Sequence, residues 1–169
     1  MIIFINGAFG AGKTTVANLL VQAIPNSMLY DPEEIGLALR TILEPVEKQD
    51  DFQHYPEWRT LTVETAKQIK DRLKRHLIIP MTIWRPGYFK EVTDGLKEID
   101  PDFKHFCLTV SKETIYKRLN QRGEQQPGSW AHQQAEEAVP SLASPLFEKH
   151  LDTENNSPQE LVKIILSAI

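Results

Sequence analysis

Lys13 and Thr14 close an eight-residue stretch, Gly7-Ala8-Phe9-Gly10-Ala11-Gly12-Lys13-Thr14, that crowds three glycines into six positions. Glycine weakens helices and strands alike, so such crowding marks a backbone that must take positive φ or approach something closely. The stretch fits G-x-x-x-x-G-K-[ST]. In that pattern successive N–H groups wrap an anionic β-phosphate at the start of a helix, Lys13 reaches the β- and γ-phosphates, and the Thr14 hydroxyl ligates Mg²⁺. A helix dipole alone contributes about 0.3–1 kcal/mol to an anion, too little to hold a triphosphate, so lysine, metal and amides must act together. The expected ligands are ATP and Mg²⁺, and the expected nucleotide-binding residues are Gly7, Ala8, Phe9, Gly10, Ala11, Gly12, Lys13, Thr14 and Thr15.

Two further constellations narrow the chemistry. A substrate hydroxyl is poorly nucleophilic at neutral pH, so a carboxylate near the phosphates helps position it and takes its proton. Asp31, in LYDPEE, is the candidate acid–base group and a candidate metal ligand with Thr14. The same residue also reads as a helix N-cap, with Pro32 at the first helical position and Glu34 at the third, and the two roles can coexist. Arg118 and Arg122 in YKRLNQR fall on one helix face, where guanidinium forks could contact a transferring phosphate; the alternative is a solvated helix face. Arg40 and Arg59 sit on segments expected to cover the substrate side, pairing with an acidic group of the substrate or with neighbouring Asp and Glu. Trp84, Trp58 and Tyr88 could supply a stacking wall for a base or sugar, or pack in the core.

Some classes are disfavoured. The chain has no N-K-x-D motif and no Asp-x-x-Gly metal loop, as a GTPase switch would require. The apolar run LIIPMTIW lacks the acidic residue that many ATPases place there for Mg²⁺; Thr82 or a water could substitute. The five histidines show no metal-ligand spacing. What remains is a small kinase type, acting on a small-molecule hydroxyl.

These residues need elements to hold them. Ile2 to Asn6 reads as a buried strand, and Val16, Leu19, Leu20 and Ala23 repeat at helical spacing behind the glycines. The alternation recurs: a strand at 28–30 before a helix near 33–43, a charged helix near 61–75 before a strand at 77–83, and a strand at 105–110 before SKETIYKRL. A short fifth strand at 150–153 precedes Ser157-Pro158-Gln159-Glu160, a capping-box helix start. This predicts an α/β three-layer sandwich, a P-loop NTPase sheet with helices on both faces and ligands at the carboxyl ends of its strands. The polar, glutamine-rich GEQQPGSWAHQQ reads as a small lid over about 121–134 or as a plain surface loop.

A chain of 169 residues, 41% apolar and 25% charged, fits one domain spanning 1–169. Its net charge of −4 offers no footprint for nucleic acid. The single cysteine, Cys107, excludes an intrachain disulfide, which suits a cytoplasmic setting. Met1 to Ile5 is too short for a signal peptide or a membrane span.

Several stretches together resemble the bacterial tunicamycin-resistance protein family: INGAFGAGKT, YDPEEIGLALR, DDFQHYPEWR, IIPMTIWRPGYF, SKETIYKRL and SPLFEKHLDTEN. The resemblance runs from residue 5 to about 155. It implies a P-loop kinase-like fold similar to chloramphenicol phosphotransferase and shikimate kinase, with five parallel strands in the order 2-3-1-4-5. In those kinase relatives an aspartate after the second strand is the acid–base group, which falls on Asp31, and Arg118 and Arg122 match lid arginines by position. Longer members continue into an amphipathic segment suited to a membrane surface; this chain stops at Ile169, so membrane association is not expected. The implied function is an ATP-dependent kinase acting on a nucleoside- or sugar-containing substrate, with resistance to a uridine-containing antibiotic as its role. The alternative is a non-catalytic ATP-binding module that sequesters the antibiotic or switches a partner.

Overall fold

The computed structural model describes residues 1–121 and 130–169. Five parallel strands form one sheet: β1 (Ile2–Gly7), β2 (Ser27–Leu29), β3 (His76–Pro80), β4 (Phe103–Thr109) and β5 (His150–Asp152), in the spatial order β2-β3-β1-β4-β5. The helices between them are α1 (Lys13–Ala23), α2 (Glu33–Leu43), α3 (Pro56–Leu73), α4 (Pro86–Ile99), α5 (Lys112–Gln121), α6 (Trp130–Leu142) and α7 (Pro158–Ser167). The expected sheet order and layering are both present.

The two-residue period of a strand explains the layers. In β1, Ile2 and Phe4 pack into one apolar cluster with Trp58, Val92, Leu96 and Ala135, from α3, α4 and α6. Ile3 and Ile5 face the other way, into a second cluster with Val16, Leu20, Leu161 and Ile165 from α1 and α7. β3 divides identically, Leu77 and Ile79 to the first cluster and Ile78 to the second. Strands buried on both faces need continuous apolar runs, which is what β1 and β3 are.

The boundaries shift by a few residues from the sequence expectation. β3 ends at Pro80, so Met81, Thr82 and Ile83 follow the strand rather than extend it, although Met81 N–H still donates to Ile5 O of β1 at 3.0 Å. The helix expected near 61–75 starts at Pro56, because Pro56 supplies a first helical position that needs no hydrogen-bonded N–H. The capping box at Ser157 forms as its residue types require: its side chain accepts from Glu160 N–H while Glu160 reaches back to Ser157 N–H. The first residues of α6 fall where the sequence suggested a lid, so Trp130 to Gln134 are helical; 122–129 lie outside the described residues.

Candidate active site

The glycine loop leaves β1 at Gly7, where an added Cβ would lie 2.8 Å from Leu108 O of the adjacent strand. No larger residue fits there without moving β4. Gly10 and Gly12 then take φ of +79° and +99°, values that L side chains rarely adopt. Gly12 caps α1 without any side-chain hydrogen bond, and the first turn holds no acidic residue. An N-terminus left uncapped by side chains suits an anion on its amides. Lys13 extends back over the loop, its Nζ donating to Ala8 O at 3.0 Å and lying 5.5 Å from the Phe9 ring centre.

Buried polar side chains hold this loop to the sheet. Asn6, fully buried, accepts from Gly7 N–H at 2.8 Å and from Ile83 N–H at 3.0 Å, and donates to Ile83 O at 2.9 Å. Thr82 Oγ1 donates to Gly7 O at 2.8 Å, and Gln53 Nε2 donates to Thr82 O at 2.8 Å. Gln53 N–H in turn bonds the buried Asp51 carboxylate at 2.9 Å. A continuous chain thus runs from DDFQ through the segment after β3 to the loop. The sequence reading assigned no role to Asn6, Asp51 or Gln53; the polar Asn6 inside an apolar strand was the one available signal.

Two cavities flank the loop. The first, about 180 Å³, brings together Lys13, Thr14 and Thr15 with Asp31, Glu33, Thr82 and the apolar Phe9, Phe52, Met81 and Trp130. Asp31 Oδ1 accepts from Glu33 N–H at 3.0 Å. Its carboxylate therefore holds the α2 entrance two residues on, but α2 begins at Glu33 with Pro32 in the cap position, so the expected order of Asp31 as N-cap, Pro32 first and Glu34 third is not what forms; Glu34 N–H meets the Asp31 backbone O at 3.4 Å. Glu33, which the sequence reading passed over, has its pKa raised by desolvation and then by the Asp31 charge, against the opposing pull of Lys13. The signal was present as two carboxylates spaced i, i+2 after a strand.

The second cavity, about 450 Å³, lies between Gly10–Gly12 on one side and the segment Thr153–Pro158 after β5 on the other, with Arg118 in its wall. The Arg118 guanidinium donates to Gly10 O at 3.2 Å, Thr153 Oγ1 at 3.2 Å and Thr153 O at 3.0 Å. It thus ties α5 to the loop and to the end of β5, in a different cavity from Asp31. Glu154 fixes the same segment from behind, accepting from Ser111 N–H at 2.9 Å and Ser111 Oγ at 2.8 Å. Arg122 lies outside the described residues.

The remaining candidates are engaged elsewhere. Arg59 pairs with Glu91 of α4 at 2.6 Å, donates to Gln53 O at 2.6 Å and stacks 4.3 Å from the Tyr88 ring centre. Arg40 donates to Asp50 O at 3.3 Å and lies over Phe52. Trp84 carries the Arg85 guanidinium at 4.3 Å and donates to Gln134 Oε1 at 3.3 Å. Trp58 is a core residue, fully buried and donating to Pro32 O at 3.0 Å. None of these four side chains lines either cavity beside the loop. The aromatic wall of the cleft is built from Phe9, Phe52 and Trp130 instead. Among the described residues no cluster of three or more His, Cys, Asp or Glu could hold a metal, and no helix is long and apolar enough to cross a membrane.

A family model described as "AAA domain" matches residues 2–142. No curated protein matches the chain. Among solved structures, the tunicamycin resistance protein of Deinococcus radiodurans is 29% identical with a TM-score of 0.82, the match covering 99% of this chain and 94% of that one. A gluconokinase from Sinorhizobium meliloti 1021 is 18% identical with a TM-score of 0.68, covering 98% of this chain and 89% of that one. Shikimate kinase from Acinetobacter baumannii, solved with shikimate, is 16% identical with a TM-score of 0.64, covering 99% and 91%. The last two support the fold alone; the first bears out the likeness to tunicamycin-resistance proteins drawn from the motifs.

Proposed function

The chain belongs to the AAA-domain family, and from that premise we propose that it is an ATP- and Mg²⁺-dependent phosphotransferase acting on a hydroxyl of a small nucleoside- or sugar-containing acceptor, with tunicamycin resistance as its cellular role. One observation carries the reading: the 180 Å³ cleft holds the phosphate-binding Lys13 and Thr14 together with the carboxylates Asp31 and Glu33 and an apolar wall. A donor half and an acceptor half share one space. A plain nucleotide switch has no use for the second half.

In this reading the loop amides and Lys13 hold the β- and γ-phosphates, while the base occupies the larger cavity beside Arg118 and the Thr153–Pro158 segment. Asp31 accepts the hydrogen bond of the acceptor hydroxyl and takes its proton as the new O–P bond forms and the bridging β–γ oxygen departs on ADP. Thr14 and Asp31 would hold Mg²⁺, which supplies charge neutralisation at the phosphates when bound with the nucleotide. Arg118 fixes the loop through Gly10 and walls the base cavity; Arg122 is the arginine proposed for the transferring charge.

A second reading, in which the protein binds ATP and sequesters the antibiotic without modifying it, is favoured by one feature. β3 runs into Met81 and Thr82 with no carboxylate where an ATPase would place one for metal. Incubating the chain with MgATP and tunicamycin and weighing the drug by mass spectrometry separates the two. A phosphate added to the drug, absent with Lys13→Ala, supports transfer. Unmodified drug retained in a tight, Lys13-dependent complex supports sequestration, and ADP release independent of the drug supports neither.

A further inference from the structure

Thr82 is clamped from three directions. Its Oγ1 donates to Gly7 O at 2.8 Å, and its carbonyl accepts from Gln53 Nε2 at 2.8 Å. Ile83, the next residue, is fixed to Asn6 through both its N–H and its carbonyl, at 3.0 Å and 2.9 Å. Gln53 is held in turn by its own main chain, its N–H bonded to Asp51 and its carbonyl accepting from Arg59 Nη1 at 2.6 Å. Thr82 and Gln53 are only 2% and 4% exposed, so packing leaves neither side chain room to turn.

The bond to Gly7 sets the polarity of the Thr82 hydroxyl. A carbonyl cannot donate, so the one hydroxyl proton is committed there, and the oxygen can only accept from a further partner. Thr82 also lines the cleft that holds Lys13, Thr14 and Asp31. A donor entering that cleft therefore finds a fixed acceptor.

The Thr14 hydroxyl and the Asp31 carboxylate are hard oxygen ligands, a donor set that fits Mg²⁺. Two such ligands and the phosphates leave an octahedral ion with several of its own waters. Those waters are strong hydrogen-bond donors, and a carboxylate after the third strand is the usual kind of group to accept from them. Here Met81-Thr82-Ile83-Trp84 carries no carboxylate, and it presents an acceptor-only hydroxyl.

Deepening the reading in which the nucleotide binds with Mg²⁺, we infer that Thr82 accepts a hydrogen bond from a Mg²⁺-bound water and that Gln53 is the positioning residue that keeps Thr82 set for it. A third strand without an acid then does not leave the ion unsupported, which removes the feature that favoured sequestration. A neutral acceptor is weaker than a charged one, so the contribution of the ion to nucleotide affinity depends closely on both residues.

The test is calorimetric titration of the full chain with a non-hydrolysable ATP analogue, once in excess Mg²⁺ and once in a chelator. The ratio of the two affinities measures the coupling between ion and nucleotide. Thr82→Val is expected to lower that ratio by about tenfold and Thr82→Ser to restore most of it. Gln53→Leu is expected to lower it in the same direction, and the double variant to fall no further than Thr82→Val alone. A purely structural Thr82 would weaken the analogue equally in both buffers and leave the ratio where it was. A wild-type ratio well above one that survives Thr82→Val overturns the inference alone, and independent, multiplying losses in the double variant overturn the part given to Gln53. A wild-type ratio of one sinks the Mg²⁺-dependent reading and the inference with it.

Discussion

Asp31 and Glu33 reach the same cleft from the same turn, yet their surroundings differ. Asp31 gives one carboxylate oxygen to Glu33 N–H at 3.0 Å. Glu33 bears the consequence of proximity: desolvation and the Asp31 charge both raise its pKa, with Lys13 pulling the other way. Because Asp31 is the proposed proton acceptor and, with Thr14, a proposed Mg²⁺ ligand, Asp31→Asn is expected to lower kcat by roughly 10²–10⁴-fold while the fold is kept, the amide oxygen preserving the bond to Glu33 N–H. Glu33→Gln is expected to cost less and to remove an inflection lying above the ordinary carboxylate range from the acidic limb of the kcat–pH profile. Steady-state profiles of the three proteins check both statements; equal losses in kcat would show that Asp31 has no special place.

At the scale of elements, the loop is only as well placed as the polar contacts that hold it. Replacing Asn6 by alanine would leave Gly7 N–H, Ile83 N–H and Ile83 O without their side-chain partners. A buried group losing its partner costs about 1–3 kcal/mol, so Asn6→Ala is expected to lower unfolding free energy by about 3 kcal/mol or more in urea titrations, and to weaken ATP binding at least tenfold. Thr82→Val, which removes one bond to Gly7 O, should cost about 1 kcal/mol. The loop and its strand were legible in the sequence because glycine spacing and a β-branched apolar run are local signals. The role of Asn6 was not, since beside its bond to the neighbouring Gly7 N–H its other two bonds go to Ile83, 77 residues away. The helix α6 was obscured for a different reason. Its buried face is Ala131, Ala135, Ala138 and Leu142, alanines too weakly apolar to stand out among glutamines, with Pro140 inside the helix. Missing α6 meant missing Trp130, which left Trp58, Trp84 and Tyr88 as the candidates for an aromatic wall. For Arg59 the sequence left a substrate acid and a protein carboxylate both open, because its partner Glu91 lies 32 residues further along the chain, on α4.

Across the whole molecule, stability should depend on pH through a histidine away from the loop. His105 stands in β4 in register with Phe4, its ring against Phe4 and Phe89 at 5.9 Å and 4.8 Å between centres. Its Nε2 is buried without a hydrogen-bond partner. Burial first, then the nearby charges of His150, Lys97 and Lys149, push its pKa down from 6.5 to about 4, against a backbone hydrogen bond with Glu148 that acts the other way. Between pH 6.5 and 4 the unfolded chain therefore binds more protons at this site than the folded one, and stability falls as pH falls. The contribution is fully present above about pH 6.5 and is lost progressively down to about pH 4; at 1.36 kcal/mol per unit the total loss is about 3 kcal/mol. That is a large fraction of the roughly 5–15 kcal/mol that holds a typical domain. Urea unfolding of the wild type is expected to show a fall of about 2 kcal/mol between pH 7 and 5 from this residue. His105→Phe, which keeps a ring among Phe4 and Phe89 and cannot take a proton, should flatten that part of the slope and leave ATP affinity at pH 7 unchanged. Parallel slopes in the two proteins would move the acid sensitivity to other groups.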